Sequence, residues 1–147
     1  MTPTDELIYN ALCADTKLMR IIGGRIKSTV FETGPDGVDN TPLPYIVVTD
    51  DGGDAEPESK DCVWLPDEEQ VTASVIVSAE SPKAVRKIIN RCRRTIGLYM
   101  QSDEHYAEAP ILRNIRRDGR QWDWTKPCYW DALRYICDEP INYNENE

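Results

Sequence analysis

The sequence predicts an α+β domain, a mainly antiparallel sheet with two helices packed on one face, in the order α-β-β-β-α-β-β. Three observations carry this reading. Residues 71–80 alternate apolar and polar side chains with period two, the pattern of a strand with one face on a core. Residues 85–99 repeat apolar side chains at helical spacing behind a Ser-Pro start, which fits a helix lying on that sheet. Residues 128–137 are apolar on both faces, which reads as a last strand with one face on the core and a second that needs cover. Helices gathered on one side of an antiparallel sheet bury these faces in two layers.

The elements follow in chain order. Thr2 can cap a first helix, Pro3 suits its first position, and Asp5 completes a capping-box pattern. Leu7, Ile8, Ala11, Leu12, Leu18, Met19 and Ile22 then recur near helical spacing, and Gly23-Gly24 ends the helix. Arg25–Phe31 reads as a short strand and 32–43 as a loop marked by Gly34-Pro35-Asp36-Gly37. Pro44–Thr49 is a second strand, followed by a long acidic loop over 50–68. A loop of that length in a small domain is expected to be functional or disordered.

After the alternating strand, Ser81 caps the second helix and Pro82 takes its first position. Val85, Ile88, Ile89, Cys92, Ile96 and Tyr99 form its apolar stripe. A polar connection over 100–108 leads to a fourth strand at Ile111–Arg117 and a hairpin-type turn at Asp118-Gly119. Trp122–Pro127 is a loop or a continuing hairpin, and Cys128–Cys137 is the last strand. Its second apolar face needs cover from a neighbouring subunit or a long loop. One domain is expected over residues 1–141, with a polar, disordered tail over 142–147.

Composition limits the function. The chain has 147 residues, 40% hydrophobic and 29% charged, with net charge −9. That is enough chain to bury a core without metals or disulfides. The acidic balance argues against free duplex DNA as the main partner, because phosphate binding needs a basic surface. The odd count of five cysteines, with no C-x-x-C pair, fits free thiols in a reducing cytoplasm better than disulfides or zinc. The first residues lack the basic and apolar regions of a signal peptide. No apolar run approaches the ~20 residues needed to span a membrane.

Candidate chemistry is sparse. His105 is the single histidine and sits in a polar stretch with no nucleophile elbow in the chain, so it reads as a solvated side chain. No phosphate-binding glycine motif occurs. Asp50, Asp51 and Asp54 surround two glycines but miss the spacing of an EF-hand. Pro35-Asp36 followed by Glu58-Ser59-Lys60 imitates a nuclease arrangement of carboxylates beside a lysine, yet both pieces fall in loops. No catalytic, cofactor-binding or metal-binding residue is therefore assigned, and the chain is read as non-enzymatic.

Surfaces are the better candidates. Lys83, Arg86, Lys87, Arg91 and Arg94 lie opposite or beside the apolar stripe of the second helix. They suit acidic loops of a neighbouring subunit, although a solvated helix face accounts for the same charges. Trp122, Trp124, Tyr129 and Trp130 cluster near the C-terminus, and aromatics are common both in interfaces and in cores. With Trp130 and Tyr135 of the last strand, the five cations form the candidate subunit interface.

The order and spacing of several segments resemble the tail-terminator or tail-completion (head–tail joining) proteins of long-tailed bacteriophages. The segments are Ile21-Ile22-Gly23-Gly24-Arg25-Ile26, Leu43-Pro44-Tyr45-Ile46-Val47-Val48, Val71–Val77 and Ser81-Pro82-Lys83-Ala84-Val85, and the likeness covers about residues 5–98. The resemblance implies a ring-forming structural protein, a hexamer being the expected count. Such a ring caps the finished tail tube and joins it to the head. Its implied partners are itself, the tail tube and head-completion proteins, with no sequence-specific nucleic acid and no membrane. It implies assembly in the host bacterial cytoplasm followed by residence in the virion tail. The long acidic loop and the aromatic C-terminal extension depart from the simplest members. A small soluble adaptor domain is the alternative from a different class, and a metal-dependent nuclease a remote third.

Overall fold

Residues 3–28, 41–54, 65–101, 112–141 and 143 are described by the structure, a computed structural model. The elements are α1 (Thr4–Cys13), α2 (Thr16–Ile21), β1 (Ile26–Ser28), β2 (Tyr45–Asp54), β3 (Glu68–Ala79), α3 (Pro82–Met100), β4 (Arg113–Arg117), β5 (Gln121–Asp123) and β6 (Cys128–Pro140). They build one sheet in the order β1-β2-β3-β6-β4, with β5 also paired to β6. All pairings are antiparallel except β1 with β2. The α+β class and the mainly antiparallel sheet are as the sequence predicts, with one parallel edge strand added.

The period-two pattern sets the core. Ile46 and Val48 of β2, Ala73, Val75, Val77 and Ala79 of β3, and Leu133 and Tyr135 of β6 share one face. Ile8 and Leu12 of α1, Leu18 of α2, and Val85, Ile88, Ile89, Cys92 and Ile96 of α3 pack against it. α3 starts as predicted, because Ser81 caps it by accepting from the Ala84 N–H at 3.1 Å.

The predicted first helix is two helices. Asp15 sits between them in extended conformation and caps α2, accepting from the Leu18 N–H at 3.1 Å. An aspartate side chain that satisfies a first-turn N–H favours a new helix start over a continuing interior. The first turn also differs. α1 begins at Thr4 with Pro3 as its cap and no side-chain cap. The Thr4 N–H and hydroxyl donate instead to Glu139 at the end of β6, and Thr2 lies outside the described residues. Gly23 and Gly24 end α2 with φ of 60° and 70°, the left-handed turn that glycine permits.

A predicted loop start and a predicted turn do not break the sheet. The start of the acidic loop, Asp50–Asp54, continues β2 beyond a register shift between Asp50 and Gly53, so the Asp-Asp-Gly-Gly run is a bulge and not a reversal. Asp118-Gly119 does not reverse the chain either. β4 and β5 both pair with β6 on the same side, over Ile136–Leu133 and Trp130–Cys128. The chain kinks between them and runs on. Gly119 takes φ 90° there, while Asp131 of β6 accepts its N–H at 3.0 Å. The reversal comes later, in the turn 124–127 between β5 and β6.

The second face of the sheet carries Tyr45, Val47 and Thr49, then Thr72, Ser74, Ile76 and Ser78, then Trp130, Ala132, Arg134 and Ile136. Val47, Ser74, Ser78 and Ala132 are buried within the one chain, and the Lys126 ammonium lies 4.5 Å from the centre of the Tyr45 ring. On the last strand Ala132 is buried on this face, while Trp130, Arg134 and Ile136 are half-buried.

Candidate assembly interface

α3 sorts its residues by its stripe. Lys83, Arg86, Lys87 and Arg94 are exposed, and Ile88, Ile89 and Cys92 are buried. Arg91 differs from the other cations. Its Nε donates to Asp15 Oδ2 at 2.7 Å and its Nη2 to Asp15 Oδ1 at 2.9 Å, a two-pronged pair that ties α3 to the α1–α2 junction. Thr95 donates to the same carboxylate. The Asp15 side chain is only 6% exposed. The Arg91 bonds hold its carboxyl well below the usual carboxylate range, against the opposing effect of burial, and Thr95 and the Leu18 N–H add to the lowering. Arg91 thus holds α3 to the α1–α2 junction while its side chain stays 25% exposed.

Tyr135 is likewise interior, at 3% exposure. Among the described residues its hydroxyl has no hydrogen-bond partner, and burial, with Cys92 nearby, pushes its pKa upward. An unsatisfied buried hydroxyl is a cost to folding. Tyr135→Phe is expected to raise stability by about 1 kcal/mol, read as a later urea midpoint at unchanged slope. A loss of stability would mean that the hydroxyl has a partner. Trp130 is half-buried on the second face of the sheet.

A polar chain crosses that face. Thr49 donates to Asp51 at 2.8 Å, and Ser74 donates to the other Asp51 oxygen. Arg134 lies 3.6 Å from Asp51 and donates through Nε to Asp118 at 3.2 Å. Arg116 meets the same Asp118 at 3.4 Å. These pairs link β2, β3, β6 and β4 and neutralise one another. They hold the sheet in register.

The free edge of the sheet was not singled out from the sequence. Arg113, Asn114, Ile115, Arg116 and Arg117 of β4 are all exposed. Beyond the kink, Trp122 packs edge-on against Tyr129 at 4.7 Å and Trp124 at 5.8 Å. Trp124 itself is 86% exposed. Arg120 stands 6.0 Å from the Tyr129 ring centre. The signal was available: a strand polar on both faces and rich in arginine is one that ends a sheet.

Among the described residues, no group of three His, Cys, Asp or Glu could hold a metal ion, and none of the helices is long and apolar enough to cross a membrane. Cys13, Cys92 and Cys137 are free thiols, and burial raises the pKa of Cys92 so that it stays protonated. His105, Asp36, Glu58, Lys60 and Cys62 lie outside the described residues.

No protein-family model matches the chain, and no curated protein matches it. A solved structure of the bacteriophage SPP1 gp17 protein is similar at 12% identity over 95% of this chain and 88% of that one, with TM-score 0.48. A chain in the virion of a native gene transfer agent particle is similar at 12% identity over 94% of this chain and 95% of that one, with TM-score 0.58. The second likeness spans nearly the whole of both chains, and it shows that this protein shares its α+β fold with a component of a virion particle.

Proposed function

We propose that the chain is a non-enzymatic structural protein of a tailed, phage-like particle, acting as a ring at the end of the tail tube where the tail joins the head. The observation that carries this reading is the end-to-end likeness of fold to a chain of the gene transfer agent virion. The segments that resemble tail-terminator proteins point the same way. The charged groups of the interior fit the reading, since Asp15, Asp131 and Arg134 are occupied in structural pairs. In this reading the chain works through surfaces. Its partners are other copies of itself, the tail tube and head-completion proteins, and it moves from the host bacterial cytoplasm into the virion tail.

Antibody labelling of purified particles from a producing host is expected to find the chain at the head-proximal end of the tail. Its absence from purified particles would contradict the proposal. The exposed α3 cations Lys83, Arg86, Lys87 and Arg94 are the surface assigned to an acidic neighbour in the particle. Reversing two of them, Lys87→Glu with Arg94→Glu, is expected to lower incorporation into particles. Unchanged incorporation would remove that surface from the proposal.

A further inference from the structure

The charge of this acidic chain is unevenly placed. Between Pro82 and Met100, α3 has Lys83, Arg86, Lys87, Arg91, Arg93 and Arg94 and no aspartate or glutamate. The net charge of −9 is therefore carried, and exceeded, by the rest of the chain. Described carboxylates gather at the far end of the sheet. Asp54 pairs with Gln70, Gln70 with Asp138 and Glu69 with Glu139, with Glu68 beside them. β3 runs from that end to Ala79, and α3 starts beyond it at Pro82. At ~3.3 Å per residue, the start of β3 is roughly 35 Å from the start of α3. Charges in solution are screened over about 8 Å at physiological salt, so the two ends act separately.

The cations of α3 are ordered. Lys83, Lys87 and Arg94 share one ridge opposite buried Ile88, Ile89 and Cys92. The ridge is about 16 Å long at ~1.5 Å per residue. Arg86 and Arg93 flank it, and all five are exposed. On the other flank Arg91 grips Asp15 and so seats α2, whose Lys17 and Arg20 are exposed as well.

The face lacks the anchors that a protein partner uses. α3 offers only Leu98 as an exposed large apolar side chain, whereas protein interfaces centre on buried aromatic and apolar groups. No aromatic ring lies on the cationic ridge, so unpaired bases have nothing to stack on. A duplex backbone needs neither. It presents one negative charge per ~1.7 Å of axis, and lysine and arginine contact its phosphates without reading bases.

We infer that the exposed face of α3 binds the phosphate backbone of duplex DNA, independently of sequence. The contact gives the acidic neighbour of the proposed function a chemical identity; it rests on that function only for the DNA being the particle's own. A chain that is acidic overall binds free duplex weakly, so the contact serves DNA already held nearby.

Fluorescence anisotropy with a labelled duplex of ~20 base pairs and random sequence tests the contact. Wild type is expected to bind at about 50 mM salt and to lose roughly 40-fold in affinity by about 200 mM, as three neutralised phosphates would give. Lys87→Glu with Arg94→Glu should bind at least ~10-fold more weakly, with an unchanged circular dichroism spectrum. Arg113→Glu with Arg120→Glu changes the net charge equally but on the β4–β5 edge, and should stay within about twofold of wild type. Poly-L-glutamate at equal charge should displace little of the duplex. No wild-type binding at the lower salt, an α3 variant that binds like wild type, or an equal loss on the β4–β5 reversal would each overturn the inference. Displacement by poly-L-glutamate as complete as by unlabelled duplex would overturn it too, and would assign the face to an acidic protein. Antibody labelling of particles decides the structural-protein reading independently of these results.

Discussion

Asp131→Ala is expected to lower stability by about 3 kcal/mol. Asp131 is 1% exposed and sits in β6 opposite the kink between β4 and β5. Its Oδ1 accepts from the Gly119 N–H at 3.0 Å and the Ala132 N–H at 2.7 Å, and its Oδ2 pairs with Arg117. Removing the carboxylate leaves the Gly119 N–H and the guanidinium without their acceptor. The kink is what keeps β5 on the same edge as β4, so its loosening should detach Trp122 and Trp124 from their place on that edge. Asp131→Asn keeps one oxygen for an N–H and loses the ion pair, and its cost should fall between wild type and alanine. Urea unfolding gives the stability. An alanine variant as stable as wild type would show that the kink does not depend on this carboxylate.

Asp15→Ala is expected to cost about 2–3 kcal/mol at neutral pH, and this cost should shrink in acid. The carboxylate caps α2 and receives both prongs of Arg91 and the Thr95 hydroxyl. Its folded pKa is depressed by these bonds, Arg91 foremost, while the unfolded chain has the ordinary value near 4. The folded state therefore binds a proton less readily than the unfolded state. The stabilisation is complete above about pH 4 and is lost as the pH falls below that value toward the depressed folded pKa. The difference between wild type and variant isolates this group from the other carboxylates. Denaturation at a series of pH values should show that difference constant above about pH 5 and narrowing below about pH 4. A constant difference down to about pH 2 would contradict the assigned role.

The two most regular segments were legible in the sequence. Alternation over Val71–Ala79 gave β3 and its core face, and Ser81-Pro82 with its apolar stripe gave α3. What was not legible depended on partners far along the chain. Asp15 looks like a polar residue inside a helical pattern until Arg91, 76 positions away, is seen to hold it. Asp118-Gly119 carries the same turn signal whether the chain reverses or kinks, and Asp131 decides between them. Asp-Asp-Gly-Gly reads as the start of a loop because its composition does, yet β3 gives it a partner to extend along. Among the candidate interface residues, Lys83, Arg86, Lys87 and Arg94 are exposed, while Arg91 and Tyr135 are turned to structural use. The arginines of β4 went unassigned although a strand polar on both faces and rich in charge marks the edge of a sheet.

Native mass spectrometry of the wild-type chain over a wide concentration range, alone and with purified tail tubes, tests ring formation most directly. The expected result is a single closed oligomer, a hexamer by the likeness to tail terminators, formed in solution or on the tube and independent of divalent cations. A chain that remains monomeric under both conditions, or that gives an open ladder of sizes, would contradict the proposed ring.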